Sequence, residues 1–291
     1  MNIEFYKNRN LGDRFSASAE FIRENGLTLF KHIFIPALPL VILQAYFTTR
    51  YVGMAAAIAD NPENIAAFGG SVLLLFLFTI LLALYIPSMA GALMSRYEAG
   101  LLTKETTFKD LSGKMFSNMG KYFVIGLLIG LLVGGAAIIL SLLMVLFAGI
   151  SVVITVIFGI LLFFALLAIL PPLALAYFPA FFQEAGAGES LKKGISLGFK
   201  NWGTTLATIL IAGIMTIVFY VVFAVPYYVW MAFEGLSGSG IITYLLTLLT
   251  SMSTLFVTPL TFVFLAFQYF SIVEKEEGIS LQSKVEEFDN L

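Results

Sequence analysis

The longest stretch without Asp, Glu, Lys or Arg is 62 residues, between Lys121 and Glu184. Three further charge-free runs follow Glu63, Lys200 and Glu234, of 32, 33 and 39 residues. A hydrocarbon core about 30 Å thick is crossed by roughly 20 helical residues. A soluble domain has no way to bury several such runs without alternating polar positions. With 59% apolar and 12% charged residues in the whole chain, the runs predict an all-α polytopic membrane protein.

Cysteine is absent and His32 is the only histidine. Disulfides, thiolate metal sites and His-pair metal sites are thereby excluded, and one imidazole remains for acid–base chemistry. Residues 1–25 mix Arg, Lys, Glu and Asp without an apolar core, so no secretory signal is expected there.

Windows of about 20 residues place six spans near 27–49, 71–95, 121–147, 152–182, 202–233 and 240–273. A turn at 148–151 divides the long apolar run, where Gly149 breaks it. Pro36, Pro39, Pro87, Pro171, Pro172, Pro179, Pro226 and Pro259 fall within these spans. They mark kink points, or simply reflect the tolerance of membrane helices for proline. The segments on one side of the spans hold 15 of the 16 basic residues; the other side holds Arg50, with Asp60, Glu63 and Glu234. Basic residues stay in the cytoplasm, so both termini are expected there. Tyr46, Tyr51, Tyr227, Tyr228, Trp230 and Tyr244 then mark the outer boundary, and Tyr97, Tyr122, Trp202 and Tyr269 the inner one.

The chain reads as one membrane domain over 1–291 with an internal threefold repeat. Phe21 to Leu29, Phe116 to Phe123 and Phe199 to Leu206 resemble one another around Asn25, Asn118 and Asn201: the last two share Phe-x-Asn-x-Gly, and the first has Asn-Gly directly. Upstream of each Asn lies a short amphipathic pattern, marked by Phe15, Ala19 and Ile22, by Phe108, Leu111 and Met115, and by Leu191, Ile195 and Phe199. Such helices lie in the headgroup region with basic side chains toward anionic lipid. Asp13, Thr107 with Asp110, and Glu189 or Ser190 stand at their expected starts. The Asn-Gly elements fit C-caps, where positive φ is tolerated. The repeat predicts three units near 11–97, 104–183 and 187–273, each an interfacial helix followed by a hairpin, and a cytoplasmic tail over 274–291.

Three repeats of two spans invite comparison with mitochondrial carriers, but no Pro here opens that family's Pro-x-acid-x-x-base signature, and the amphipathic helices precede the hairpins. The stretch from Pro179 through Glu184, Glu189, Lys192, Lys193 and Asn201 to Trp202 resembles bacterial proteins related to the membrane domain of glycerophosphoryl diester phosphodiesterases. In that pattern an aromatic span end leads to Glu, a Gly turn, a Glu-Ala-Leu-basic helix and an aromatic residue opening the next span. Ser190 stands where Ala is usual. The ending from Tyr269 to Glu277 also looks like that of uncharacterised members. The resemblance implies the membrane fold only, because the phosphodiesterase activity belongs to a separate soluble barrel.

Ionisable residues mark function inside membranes, and none lies deep in these spans. Lys31 and His32 sit near the inner boundary, as lipid-phosphate contacts or as ordinary interfacial polar residues. Glu184, Lys192, Lys193 and Trp202 are further candidate contacts for lipid or a partner, with Glu184 pairing to Lys192 or Lys193. In the sixth span Thr243, Thr247, Thr250, Thr254, Thr258 and Thr261 form one helical stripe. Thr247, Thr250, Thr254 and Thr258 either line a polar path or serve helix packing. Gly126, Gly130 and Gly134 form a small-residue packing seam, within the chain or between copies. No cofactor, metal or catalytic residue is expected. The predicted function is a non-enzymatic accessory or scaffold whose partners are membrane lipids and another membrane protein or itself, not nucleic acid. The alternative is a carrier or flippase for a lipid or small amphiphile, using the threonine stripe.

Overall fold

The computed structural model describes residues 3–57, 65–234 and 240–280. Every regular element among them is helical: α1 (Leu11–Leu29), a π-helical segment (Phe30–Phe34), α2 (Ile35–Ala57), α3 (Ile65–Glu98), α4 (Phe108–Ile150), α5 (Val152–Leu175), α6 (Phe178–Phe182), α7 (Ala187–Lys200), α8 (Trp202–Glu234) and α9 (Ile241–Glu277). Six helical stretches are long and apolar enough to cross a membrane, as the charge-free runs predict for a multi-pass protein. Asp60, Glu63, the Glu234 side chain and the tail beyond 280 lie outside what is described.

The chain divides into two compact units. One comprises 1–15, 116–209 and 265–291; the other comprises 16–115 and 210–264. In the second unit, α2 and α3 pack as a hairpin. Ala37, Val41 and Ala45, at i, i+4, i+8, are buried, as are Ile86, Met89, Ala90 and Leu93 on α3. Small residues on α2 let the two backbones approach, the usual solution where apolar lipid gives no drive to associate. In the first unit, Ile125, Ala176 and Ala180 form a buried cluster beside Tyr177 and Leu191. An aromatic group ties Phe5 to Phe267 and Phe270 at centroid distances of 5.3 and 4.8 Å, and Phe182 to Phe270 at 4.6 Å.

Several expected boundaries hold and others move. The break in the long apolar run falls at Ser151, whose extended backbone (φ −163°, ψ 132°) separates α4 from α5. Thr107 donates from its N–H and its hydroxyl to Asp110 Oδ2, both at 2.8 Å, starting α4 as the capping pattern predicts. At α1 the cap is Asn10, whose Oδ1 takes the Asp13 N–H at 2.9 Å, and not Asp13 itself.

The Asn turns are the main difference. Asn25 lies inside α1, its side-chain amide donating to Phe21 O at 3.0 Å, one turn back. Asn118 is buried within α4, which runs unbroken for 43 residues, about 64 Å at 1.5 Å per residue. Only Asn201 of the three ends a helix, and its φ is −116°. Gly26 and Gly120 carry no positive φ. A single Gly costs a helix about 1 kcal/mol, too little to break elements committed on both sides. The first and second amphipathic segments therefore continue into their spans, and α7 alone stands as a separate helix.

Candidate functional site

The chain around α7 is shaped by prolines and glycines. The fourth expected span is matched by an apolar helical stretch over Val152–Phe182, broken near its prolines as expected: α5 ends after Pro171 and Pro172, and α6 begins with Pro179 in its first turn. The N–H groups of Gln183 and Ala185 both donate to Pro179 O, at 3.0 and 3.3 Å. Between them Glu184 takes φ 57°, the left-handed cap conformation expected at the asparagines. Gly186 then starts α7 with extended backbone.

Ser190, Gly194 and Gly198, at i, i+4, i+8, turn one face of α7 onto the preceding helices. Ser190 Oγ accepts the Ala180 N–H at 2.9 Å and donates to Ala176 O at 2.8 Å. A β-carbon on Gly194 would collide with the backbone at Leu175 and Ala176, and one on Gly198 with Pro171 and Pro172. The helix therefore lies directly against the α5 main chain. Just beyond it, Trp202 Nε1–H donates to Ala168 O at 2.8 Å.

The end of α9 latches the same helix. Lys193 Nζ meets both oxygens of Glu277, at 2.6 and 2.9 Å. Gln183 Nε2 donates to Glu277 Oε2 at 3.3 Å. Asn201 donates to Glu276 at 3.3 Å and accepts from Lys275 Nζ at 3.2 Å. These pairs are partly exposed and contribute up to about 1 kcal/mol each; the glycine contacts do more to place the helix.

A cavity of about 430 Å³ opens beside α7. Leu132, Ala136 and Leu140 of α4, Ala165 and Ile169 of α5 and Phe199 of α7 are among its walls. The hairpin is antiparallel, with Tyr177 near Gly126 and Phe158 5.0 Å from Phe147. The cavity therefore runs from α7 toward the hairpin tip. Its one hydroxyl, on Ser141, donates to Ala137 O at 2.7 Å.

The expected site residues are distributed as follows. Lys192 is exposed on α7, Lys193 is half-buried against Glu277, and Glu184 is an exposed cap. Lys31 is exposed, whereas the neighbouring His32 ring is buried and its Nε2–H donates to Thr106 O at 3.0 Å. The two share no site; His32 anchors the turn between α3 and α4. Thr247 donates to Thr243 O at 2.8 Å and Thr250 to Leu246 O at 2.9 Å, while Thr254 and Thr258 are half-buried. None of these four lines the α4–α5 cavity or the two smaller ones. No other described residue approaches a β-carbon position at Gly130 or Gly134; that at Gly126 is 3.8 Å from the Tyr177 hydroxyl.

One buried polar cluster has no counterpart in the sequence reading. Gln268 on α9 is fully buried. Its Nε2 donates to the hydroxyls of Thr205 and Thr204, at 3.0 and 3.3 Å. Its Oε1 accepts from Thr208 at 3.0 Å and from the Arg14 guanidinium. A lone Gln in a charge-free run was the available signal, and Arg14 looks in sequence like one more solvated charge. Among the described residues no group of His, Asp and Glu could hold a metal ion. No protein-family model, curated protein or solved structure gives a significant match to this chain.

Proposed function

We propose that the chain is a non-enzymatic protein of a bacterial inner membrane, with both termini cytoplasmic, acting as an accessory or scaffold that contacts lipid headgroups or a partner. The observation that carries this reading is α7. It is an amphipathic helix bearing Lys192, Lys193 and Lys200, held against α5 by backbone-to-backbone contact at Gly194 and Gly198. A basic helix fixed to an apolar hairpin suits the headgroup layer, where each Lys is worth about 1 kcal/mol near an anionic surface. The relation to phosphodiesterase membrane domains belongs to the same proposal, since the Glu184 turn, α7 and Trp202 are the stretch that carries it. The carrier reading, placed on the threonine stripe, has weaker support, because the Thr247 and Thr250 hydroxyls are engaged with their own helix.

The cysteine-free sequence makes the test direct. Single cysteines replace Ser196 on α7 and Ser151 at the hairpin tip, in vesicles containing phosphatidylglycerol. A spin label at 196 is expected at headgroup depth. An impermeant thiol reagent should reach 196 from the cytoplasmic face and 151 from the opposite face. A label at 196 in bulk water, or both sites labelled from one face, would overturn the reading.

A further inference from the structure

We infer that the cavity between α4, α5 and α7 takes one acyl chain of an anionic phospholipid whose headgroup sits against Lys192. The inference rests on the reading of α7 as a headgroup-level helix. The α5 wall runs from Leu162 to Leu173, about 17 Å at 1.5 Å per residue. That is about one leaflet of a bilayer core roughly 30 Å thick. The volume of about 430 Å³ lies within the range of roughly 300–1,000 Å³ usual for ligand pockets. The walls are apolar and the Ser141 hydroxyl is already satisfied, so a hydrocarbon chain leaves no polar group unpaired.

Charge decides which lipid. Lys192, Ile195 and Phe199 stand at i, i+3, i+7, so Lys192 shares the α7 stripe whose other members line the cavity mouth. Lys192 is exposed, whereas Lys193 on the next face is held by Glu277. A chain entering past Phe199 thus brings its phosphate to an available ammonium. Entry is lateral, since Leu132 and Phe199 remain 62% and 57% exposed.

The test is native mass spectrometry of the full chain, extracted from nanodiscs of equimolar phosphatidylglycerol and phosphatidylcholine. One retained phosphatidylglycerol is expected. Ala165→Trp and, from the other wall, Ala136→Trp should each abolish retention. Ile138→Trp, at an exposed α4 position outside the cavity, should keep it. Lys192→Gln should lower phosphatidylglycerol retention about fivefold and leave phosphatidylcholine unchanged. Circular dichroism identifies a variant that does not fold, and the opposite wall then supplies the test. No retained lipid in the parent protein, retention unchanged by both fillers, or an unaltered lipid ratio in Lys192→Gln would overturn the inference. The depth of the label at 196 separates the two failures. Headgroup depth without retained lipid removes the cavity site alone, and a label in bulk water removes the reading beneath it as well.

Discussion

Trp202 donates its indole N–H to Ala168 O, the carbonyl that Pro172, four residues on, cannot serve. Proline has no N–H, so a helix containing it leaves an acceptor without its regular partner. The other unit repeats the device. Pro36 cannot serve His32 O, and the Tyr85 hydroxyl donates there at 2.6 Å. In each case an aromatic side chain from a neighbouring helix supplies the missing donor, as membrane helices require where water is excluded.

Replacing Trp202 by Phe, or Tyr85 by Phe, keeps most of the ring and removes the donor. Each change should cost about 1 kcal/mol and lower the thermal midpoint in detergent, followed by circular dichroism. Unchanged midpoints in both variants would show that these bonds contribute nothing net.

The glycines of α7 and those of α4 should respond in opposite ways. Gly198→Ala and Gly194→Ala force α7 off the α5 backbone, with an expected cost of about 1–3 kcal/mol and faster tryptic cleavage at Lys192 and Lys193. Gly130→Ala and Gly134→Ala meet open space and should gain up to about 1 kcal/mol from helix propensity. A loss of stability at 130 or 134 in the isolated chain would mean that the seam is occupied.

Glu184 adopts a left-handed backbone that costs a side-chain-bearing residue about 1–2 kcal/mol. Glu184→Gly is therefore expected to raise the thermal midpoint. A decrease would assign the carboxylate a stabilising contact stronger than the backbone strain.

Gln268→Leu removes all four hydrogen bonds of a buried amide and leaves three threonine hydroxyls and a guanidinium to rearrange, at a cost of roughly 2–3 kcal/mol. Gln268→Glu keeps an acceptor for Arg14 and for threonine hydroxyls that rotate to donate, so it should fold close to normally at neutral pH. Equal destabilisation by both, measured by urea or thermal unfolding, would contradict the role given to this cluster.

What could be read from the sequence follows from the range of the forces involved. Span positions rest on hydropathy summed over some 20 residues, and the break at Ser151 and the cap at Thr107 rest on strong local preferences. All are visible one segment at a time. The asparagine turns failed because Asn and Gly bias a cap only weakly, and Asn25 found a carbonyl within α1 instead. His32 was legible as an interfacial imidazole, but its partner, Thr106 O, is a backbone atom 74 residues away. The cavity wall at Ala136 and Ala165 is similarly non-local. It arises where two helices and a third fail to fill the space between them.

The π-helical segment carries a consequence of its own. Ala17, Phe21, Leu29, Ile33, Ala37, Val41 and Ala45 are all buried, nearly every fourth residue across the junction. On a straight α-helix such a series drifts by about 40° per step, which would carry it around the cylinder and into the open. Ile35 N–H reaches back five residues to Phe30 O, and the wider turn advances less per residue. The segment works as a phase corrector at the junction, bringing Leu29, Ile33 and Ala37 to one side of a helix built for 3.6 residues per turn. Removing one residue between 30 and 34 would let the segment close as ordinary α-helix. Its seven steps from Leu29 to Ala37 would then fall within about 20° of two full turns, so the two halves would stay in step, whereas adding a residue there would not be absorbed.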